Sequence, residues 1–134
     1  MADVRWKLRF ENLQKAFVRL EEACVQEEYS HLELAGLVQT YLFTFELCWK
    51  TLKDLLTAEG YTVNSPKETI RKAFEMLLIN DAESWLNALE SRNVLSHIYN
   101  ESTAKQAETW IKNEFAPMLR QCVITLHERT EKNE

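Results

Sequence analysis

The segment Val38-Gln39-Thr40-Tyr41-Leu42-Phe43-Thr44-Phe45-Glu46-Leu47-Cys48-Trp49-Lys50-Thr51-Leu52-Lys53-Asp54-Leu55-Leu56 decides the fold class. Two apolar ladders run through it at helical spacing. One passes through Val38, Tyr41, Phe45, Cys48, Leu52 and Leu55, the other through Val38, Leu42, Phe45, Trp49, Leu52 and Leu56. Residues three and four apart share a helix face, so the spacing predicts a helix from about Leu32 to Glu59, with Gly60 as its natural stop. A helix that packs against one core needs a single stripe. The second ladder therefore means either a central place in a bundle or a second buried surface, and a homodimer contact is the favoured explanation.

The same reading extends to both sides. Upstream, Trp6, Phe10, Leu13, Phe17, Leu20 and Cys24 fall at spacings 4-3-4-3-4 and predict a first helix over about Val4 to Glu28. Downstream, Ser65-Pro66-Lys67-Glu68 reads as a capping box with proline at the first helical position. It opens a short third helix with Ile70, Phe74, Leu77 and Leu78 turned inward. Asn80-Asp81 ends that helix, and Asp81 caps a fourth, whose apolar face is Trp85, Leu86 and Leu89 and which closes over Arg92 to His97. Tyr99-Asn100-Glu101 is a predicted loop, and Thr103 with Gln106 a further capping box. The fifth helix carries Trp110, Ile111, Phe115, Leu119, Cys122, Val123 and Leu126, with a kink expected where Pro117 removes the amide that would bond to Asn113. With two glycines, two prolines and no alternating apolar run, the 134 residues predict an all-α bundle of about five helices. Residues 1–134 form one domain in this reading, with a polar tail fraying from about residue 128.

Charge and composition narrow the function. A net charge of −5, spread along the chain, argues against a broad grip on nucleic acid, which needs many basic side chains on phosphates; a small, locally positive site is still open. No apolar run approaches twenty residues and no charged-then-apolar leader is present, which predicts a cytoplasmic protein without a membrane span. Cys24, Cys48 and Cys122 are widely spaced on apolar stripes, the pattern of reduced core thiols rather than of a metal site.

The chemistry-bearing stretch is Arg92-Asn93-Val94-Leu95-Ser96-His97-Ile98-Tyr99. Of three histidines, only His97 lies among other chemically capable side chains; His31 and His127 read as surface or capping residues. Arg92 shares a helix face with Ser96, and Asn93 with His97. Arg92 and His97 are five apart, about 140° around an axis that turns about 100° per residue. They converge only at a helix end, or across a seam to which two subunits each contribute a copy. Arginine offers a planar fork to phosphate, histidine titrates near neutrality, and a tyrosine stacks its ring on a base or accepts a transferred nucleotide on its hydroxyl. The plainer alternative is that His97 caps the last turn and Arg92 pairs with Glu90 or Glu101. Glu46 likewise reads either as an i,i+4 partner of Lys50 or as a carboxylate lining one cleft with Arg92 and His97. Spacing leaves these alternatives open.

Arg-x4-His-x-Tyr at a helix end, with Asn93 after the arginine, resembles the signature of the HEPN superfamily in its HepT-like branch. The run Phe43 to Lys53 resembles the corresponding segment of nucleotidyltransferase substrate-binding proteins, and Ser65-Pro66-Lys67-Glu68 through Ile79-Asn80-Asp81 and Trp85 follows in the family's order. The resemblance covers roughly residues 5 to 127. It implies an up-and-down bundle that forms homodimers and works with a minimal nucleotidyltransferase encoded nearby, as the subunit that binds or presents the substrate. That transferase would use a nucleoside triphosphate and Mg, and this chain would hold no cofactor or metal of its own. In toxin–antitoxin pairs of the HepT-like kind the chain is instead a metal-independent ribonuclease, acting on RNA at a local cleft and neutralised by nucleotide transfer to its tyrosine. The resemblance would make Arg92 the phosphate binder, His97 the general acid and base, and Tyr99 the modified residue; beside them, Asn93, Ser96, Glu46 and Lys50 are candidates for binding substrate or nucleotide.

Overall fold

The computed structural model describes residues 2–132, and all the regular structure among them is helical. Helices α1 (Ala2–Cys24) and α2 (His31–Ala58) pair along their lengths as an antiparallel hairpin. Helix α2 begins one residue earlier than the ladders suggest, because Ser30 and Glu33 form a reciprocal capping box: Ser30 Oγ accepts from the Glu33 amide at 3.1 Å, and Glu33 Oε1 accepts from the Ser30 amide at 2.8 Å. At the other end Gly60 takes a φ of 95°, and Tyr61 N–H donates back to Leu56 O at 2.9 Å. This is a Schellman turn with glycine in the left-handed position that it alone adopts without strain.

Helix α3 (Pro66–Glu75) is capped by Ser65, while Glu68 reaches one residue further back than a capping box requires and accepts from the Asn64 amide at 2.7 Å. The helix ends in the same turn as α2, with Leu78 N–H donating to Ala73 O at 2.8 Å. Here the left-handed residue is Leu77, at a φ of 62°. That reversal corrects the expected inner face. Phe74 and Leu77 are turned to solvent, at 45% and 81% exposure, while Thr69, Ile70, Ala73 and Leu78 are buried.

Asp81 caps α4 (Ala82–His97) by accepting from the amides of Glu83 and Ser84 at 3.0 and 3.3 Å. The following helix starts sooner than predicted. Asn100 caps α5 (Glu101–Trp110), with Thr103 as its capping-box partner in place of a Thr103–Gln106 box. At the kink expected around Pro117 the chain takes a π-helical turn, Ile111–Phe115, from which α6 (Ala116–Lys132) continues. The wider turn gives the proline ring room from the carbonyls before it. It also suits the buried series Ala107, Ile111, Phe115, Leu119, whose steps of four outrun 3.6 residues per turn. The tail expected to fray from about residue 128 stays helical to Lys132, with Arg129 paired to Glu59 across the bundle; residues 133–134 lie outside the described part.

Helix α2 packs against α1, α3, α4 and α5, and this central place absorbs both of its ladders. Val38, Tyr41, Phe45, Cys48, Leu52, Leu55 and Leu56 are buried, and Leu42 and Trp49 half-buried. Most of the width that suggested a second buried surface is thus taken up within the protomer, with Leu42 and Trp49 left half-buried at its edge. Cys48 and Cys122 are free thiols with sulfurs 3.9 Å apart in the core, where their mutual hydrogen bond and burial push the Cys48 thiol well above its ordinary pKa. Among the described residues, no helix is long and apolar enough to cross a membrane.

A leucine in the left-handed region carries roughly 1–2 kcal/mol of strain. Leu77→Gly is therefore expected to raise the unfolding free energy by about 0.5–1 kcal/mol in urea titration, after the entropy that glycine adds to the unfolded chain. A loss of stability would show that Leu77 is held by contacts outside this turn.

Candidate functional site

Tyr41 fixes the helix that carries the motif. Its hydroxyl donates to Ala88 O of α4 at 2.6 Å, and its ring meets Trp110 and Phe115 edge-on at 5.3 and 4.8 Å. Burial holds the Tyr41 phenol far above its ordinary pKa, so it remains a neutral donor. One turn beyond Ala88 stands Arg92. Its Nε donates to Glu46 Oε1 at 2.7 Å, its Nη2 donates to the same oxygen, and its Nη1 donates to Asn93 Oδ1 at 2.9 Å. Glu46 Oε2 accepts from Trp49 Nε1 at 3.0 Å and lies 3.8 Å from Lys50 Nζ. Both alternatives for Glu46 are thus partly realised: it faces Lys50 one turn on, and it binds Arg92 more closely. The expected partners of Arg92, Glu90 and Glu101, are not the ones it takes.

The structure gathers Arg92, Asn93, Glu46 and Lys50 into one half-exposed polar cluster and adds Trp49, whose donor role helical spacing hid behind its place on an apolar ladder. Ser96 turns its hydroxyl onto Arg92 O at 2.7 Å, a bond within the helix. His97 does not join them. Helix α4 stays regular through His97, which keeps the two side chains about 140° apart around its axis. Ile98 then turns extended, at φ −123° and ψ 112°, and carries Tyr99 away from the helix. His97 and Tyr99 are exposed and have no hydrogen-bond or ion-pair partner among the described residues. Val94 and Ile98, 40% and 53% exposed, flank the histidine with apolar surface.

A second feature escaped the sequence. Between α4 and α5 lies a cavity of about 430 Å³ with Val94, Leu95 and Trp110 in its walls and Glu90, Thr103 and Gln106 among its polar groups. Its size and mixed lining are those of a small-molecule site. Val94 belongs both to this cavity and to the collar of His97. Small side chains, Ser91 on α4 and Ala107 on α5, leave the space.

The sequence model of a family described as nucleotidyltransferase substrate binding protein like matches residues 8–128. The chain belongs to that family. A family relative in Haemophilus influenzae named probable ribonuclease HepT is 27% identical over 114 residues, 73% of this chain and 78% of that protein. A crystal structure from Thermus thermophilus superposes with a TM-score of 0.75 at 32% identity, covering 83% of this chain and 95% of that one. A Haemophilus influenzae structure, described as revealing the fold of a substrate binding domain of a nucleotidyltransferase, gives a TM-score of 0.67 at 22% identity over 95% of this chain and 99% of the other. The last likeness is one of fold. The substrate-binding family and the helical architecture thus agree.

Two measurements check this geometry. At neutral pH, Tyr41→Phe is expected to lower stability by about 1 kcal/mol through the lost hydrogen bond. The Tyr41 pKa is raised on folding, so its contribution is complete below the ordinary value of 10.0 and is lost above it, as the unfolded phenol ionises while the folded one does not. The gap between wild type and variant should therefore narrow as denaturation is followed above pH 10.0. In a double-mutant cycle, Glu46→Gln and Arg92→Gln should couple by about 0.5–1 kcal/mol, the range of a half-exposed pair. Glu46→Gln with His97→Gln should add independently; equal coupling in both cycles would mean that His97 shares the cluster after all.

Proposed function

We propose that the chain is the substrate-binding partner subunit of a two-component minimal nucleotidyltransferase, that it works as a homodimer, and that it meets the transferase at the exposed end of α4. One observation carries this reading: the guanidinium of Arg92 is already occupied by Glu46 and Asn93, whereas His97 and Tyr99 stand unengaged beside an apolar collar. Such an end is suited to being covered by protein, since exposed apolar surface around polar groups favours docking. Within this reading the transferase binds the nucleoside triphosphate with Mg. The Tyr99 phenol oxygen attacks the α-phosphorus, pyrophosphate leaves, and a neighbouring base takes the phenolic proton. The cavity between α4 and α5 has the size and polarity to hold a nucleoside, and Val94 links it to the surface around His97.

The second reading, a metal-independent ribonuclease of the HEPN kind silenced by nucleotide transfer to Tyr99, is favoured by the intact Arg92, His97 and Tyr99 and by the name of the Haemophilus influenzae relative. It requires Arg92 and His97 to meet across two copies, or Arg92 to leave Glu46. Wild type and His97→Ala expressed without the transferase separate the two. The substrate-binding reading expects neither growth arrest nor RNA cleavage, together with a stable complex on co-expression. Arrest and cleavage by wild type alone, lost in His97→Ala, would replace it with the ribonuclease. Intact mass after co-expression should rise by one nucleotidyl group in wild type and stay unchanged in Tyr99→Phe; no rise in wild type removes that role from Tyr99.

A further inference from the structure

A groove runs along the α1–α2 hairpin as two adjoining depressions of about 460 and 450 Å³ that share Asn12 and Leu47. Its floor is apolar. Val4, Leu8 and Phe43 are 55%, 57% and 62% exposed, and Leu47 is half-buried between them. Its rim on α1 is basic, formed by Arg5, Arg9, Lys15 and Arg19. No acidic side chain lines it, in a chain that holds 21 acidic residues against 16 basic ones. Arg9 pairs with Asp54 at 3.3 Å, whereas Arg5, Lys15 and Arg19 make no ion pair among the described residues. Positive charge is thus concentrated on one exposed apolar strip of an otherwise acidic molecule.

The shape selects the occupant. From Val4 to Arg19 the strip is about 22 Å long at about 1.5 Å per residue, room for about four turns of a docked helix. A second copy of this chain does not suit it, because a two-fold contact would set the basic rim against itself. An RNA strand would find cations, but four aliphatic or aromatic floor residues offer nothing to phosphate, and Phe43 alone could stack a base. A helix with an apolar stripe and acidic flanks satisfies floor and rim together. The α2 wall also leads to the candidate site, since Phe43 and Leu47 lie three residues from Glu46 and Lys50 and neighbour them on the helix surface.

We infer that the α1–α2 groove is the docking site for an acid-flanked amphipathic helix of the transferase subunit, seating that subunit beside the Arg92–Glu46 pair. This rests on the reading of the chain as a transferase partner. Phe43→Gln and the pair Arg5→Glu/Arg19→Glu change exposed side chains, and each tests the groove independently of whether the other folds. Affinity for a minimal nucleotidyltransferase of the same organism is measured by calorimetry at two salt concentrations, with helicity and oligomeric state checked for every variant. Each variant should bind about tenfold or more weakly while keeping the wild-type oligomeric state, and the charge-reversed pair should lose the salt dependence of the wild-type complex. Wild type that forms no complex sinks both the partner reading and the groove. Wild type that binds, with both variants binding equally well, sinks the groove alone. A change of oligomeric state in the variants would make the strip a self-contact. Unchanged transferase binding with lost retention of total transfer RNA would assign it to RNA.

Discussion

Two rungs between α2 and α4 set the geometry on which everything near the motif depends. The first joins Tyr41 to Ala88 and the second Glu46 to Arg92, across sequence separations of 47 and 46 residues. Nearly equal offsets mean that the two helices run in the same direction at a fixed register. The rungs differ in kind. The first is dry and braced by aromatic rings from α5 and the π turn, so breaking it leaves no water to replace the bond. The second is half-exposed and ionic, open to competition from solvent and from ligands. A rigid rung thus holds a replaceable one in place.

Much of this architecture was legible because helices announce themselves through spacing and end signals. The stripe from Trp6 to Leu20, the stop at Gly60, and the caps at Ser65 and Asp81 all act through local chemistry, and local chemistry is what a sequence displays. What escaped was decided over distance or by competition. The double ladder of α2 favoured a dimer seam over a central rod, and only the positions of α3, α4 and α5 show how much of it one protomer buries. Phe74 and Leu77 fit the inward pattern of α3, yet the helix closes at Glu75, leaving Phe74 half-exposed in its last turn, and the left-handed turn points Leu77 outward. At α5, Asn100 outcompeted Thr103 as the cap because its side chain serves the same helix end one turn earlier.

The candidate site was legible in its parts more than in its assembly. Residue types and the resemblance drew attention to Arg92, His97, Tyr99, Glu46 and Lys50, but spacing says nothing about a partner 46 residues away. For that reason Glu90 and Glu101 looked adequate for Arg92 when Glu46 was the one within reach. The divergence of Arg92 and His97, in contrast, followed from helix geometry, and α4 obeys it to its last residue. One protomer therefore presents the two halves of the motif to different surroundings: a polar clamp for the arginine, open solvent and an apolar collar for the histidine and tyrosine. The cavity between α4 and α5 had no signal beyond the modest size of the side chains around it.

The π turn at Ile111–Phe115 has a consequence for how chain length is encoded. A residue in an α-helix advances the following side chains by about 100°, and one in the wider π turn by less, so the turn between Trp110 and Ala116 takes up one additional residue while keeping the rotational phase of everything downstream. Removing one residue there would restore regular α-helical winding locally. Leu119, Cys122 and Leu126 would still face the core, and Arg120 and Arg129 would stay on the sides of Glu21 and Glu59. The turn therefore acts as a slack link in the longest run of helix. Residue count can change here by one, whereas composition is held by the fully buried Ile111 and Phe115.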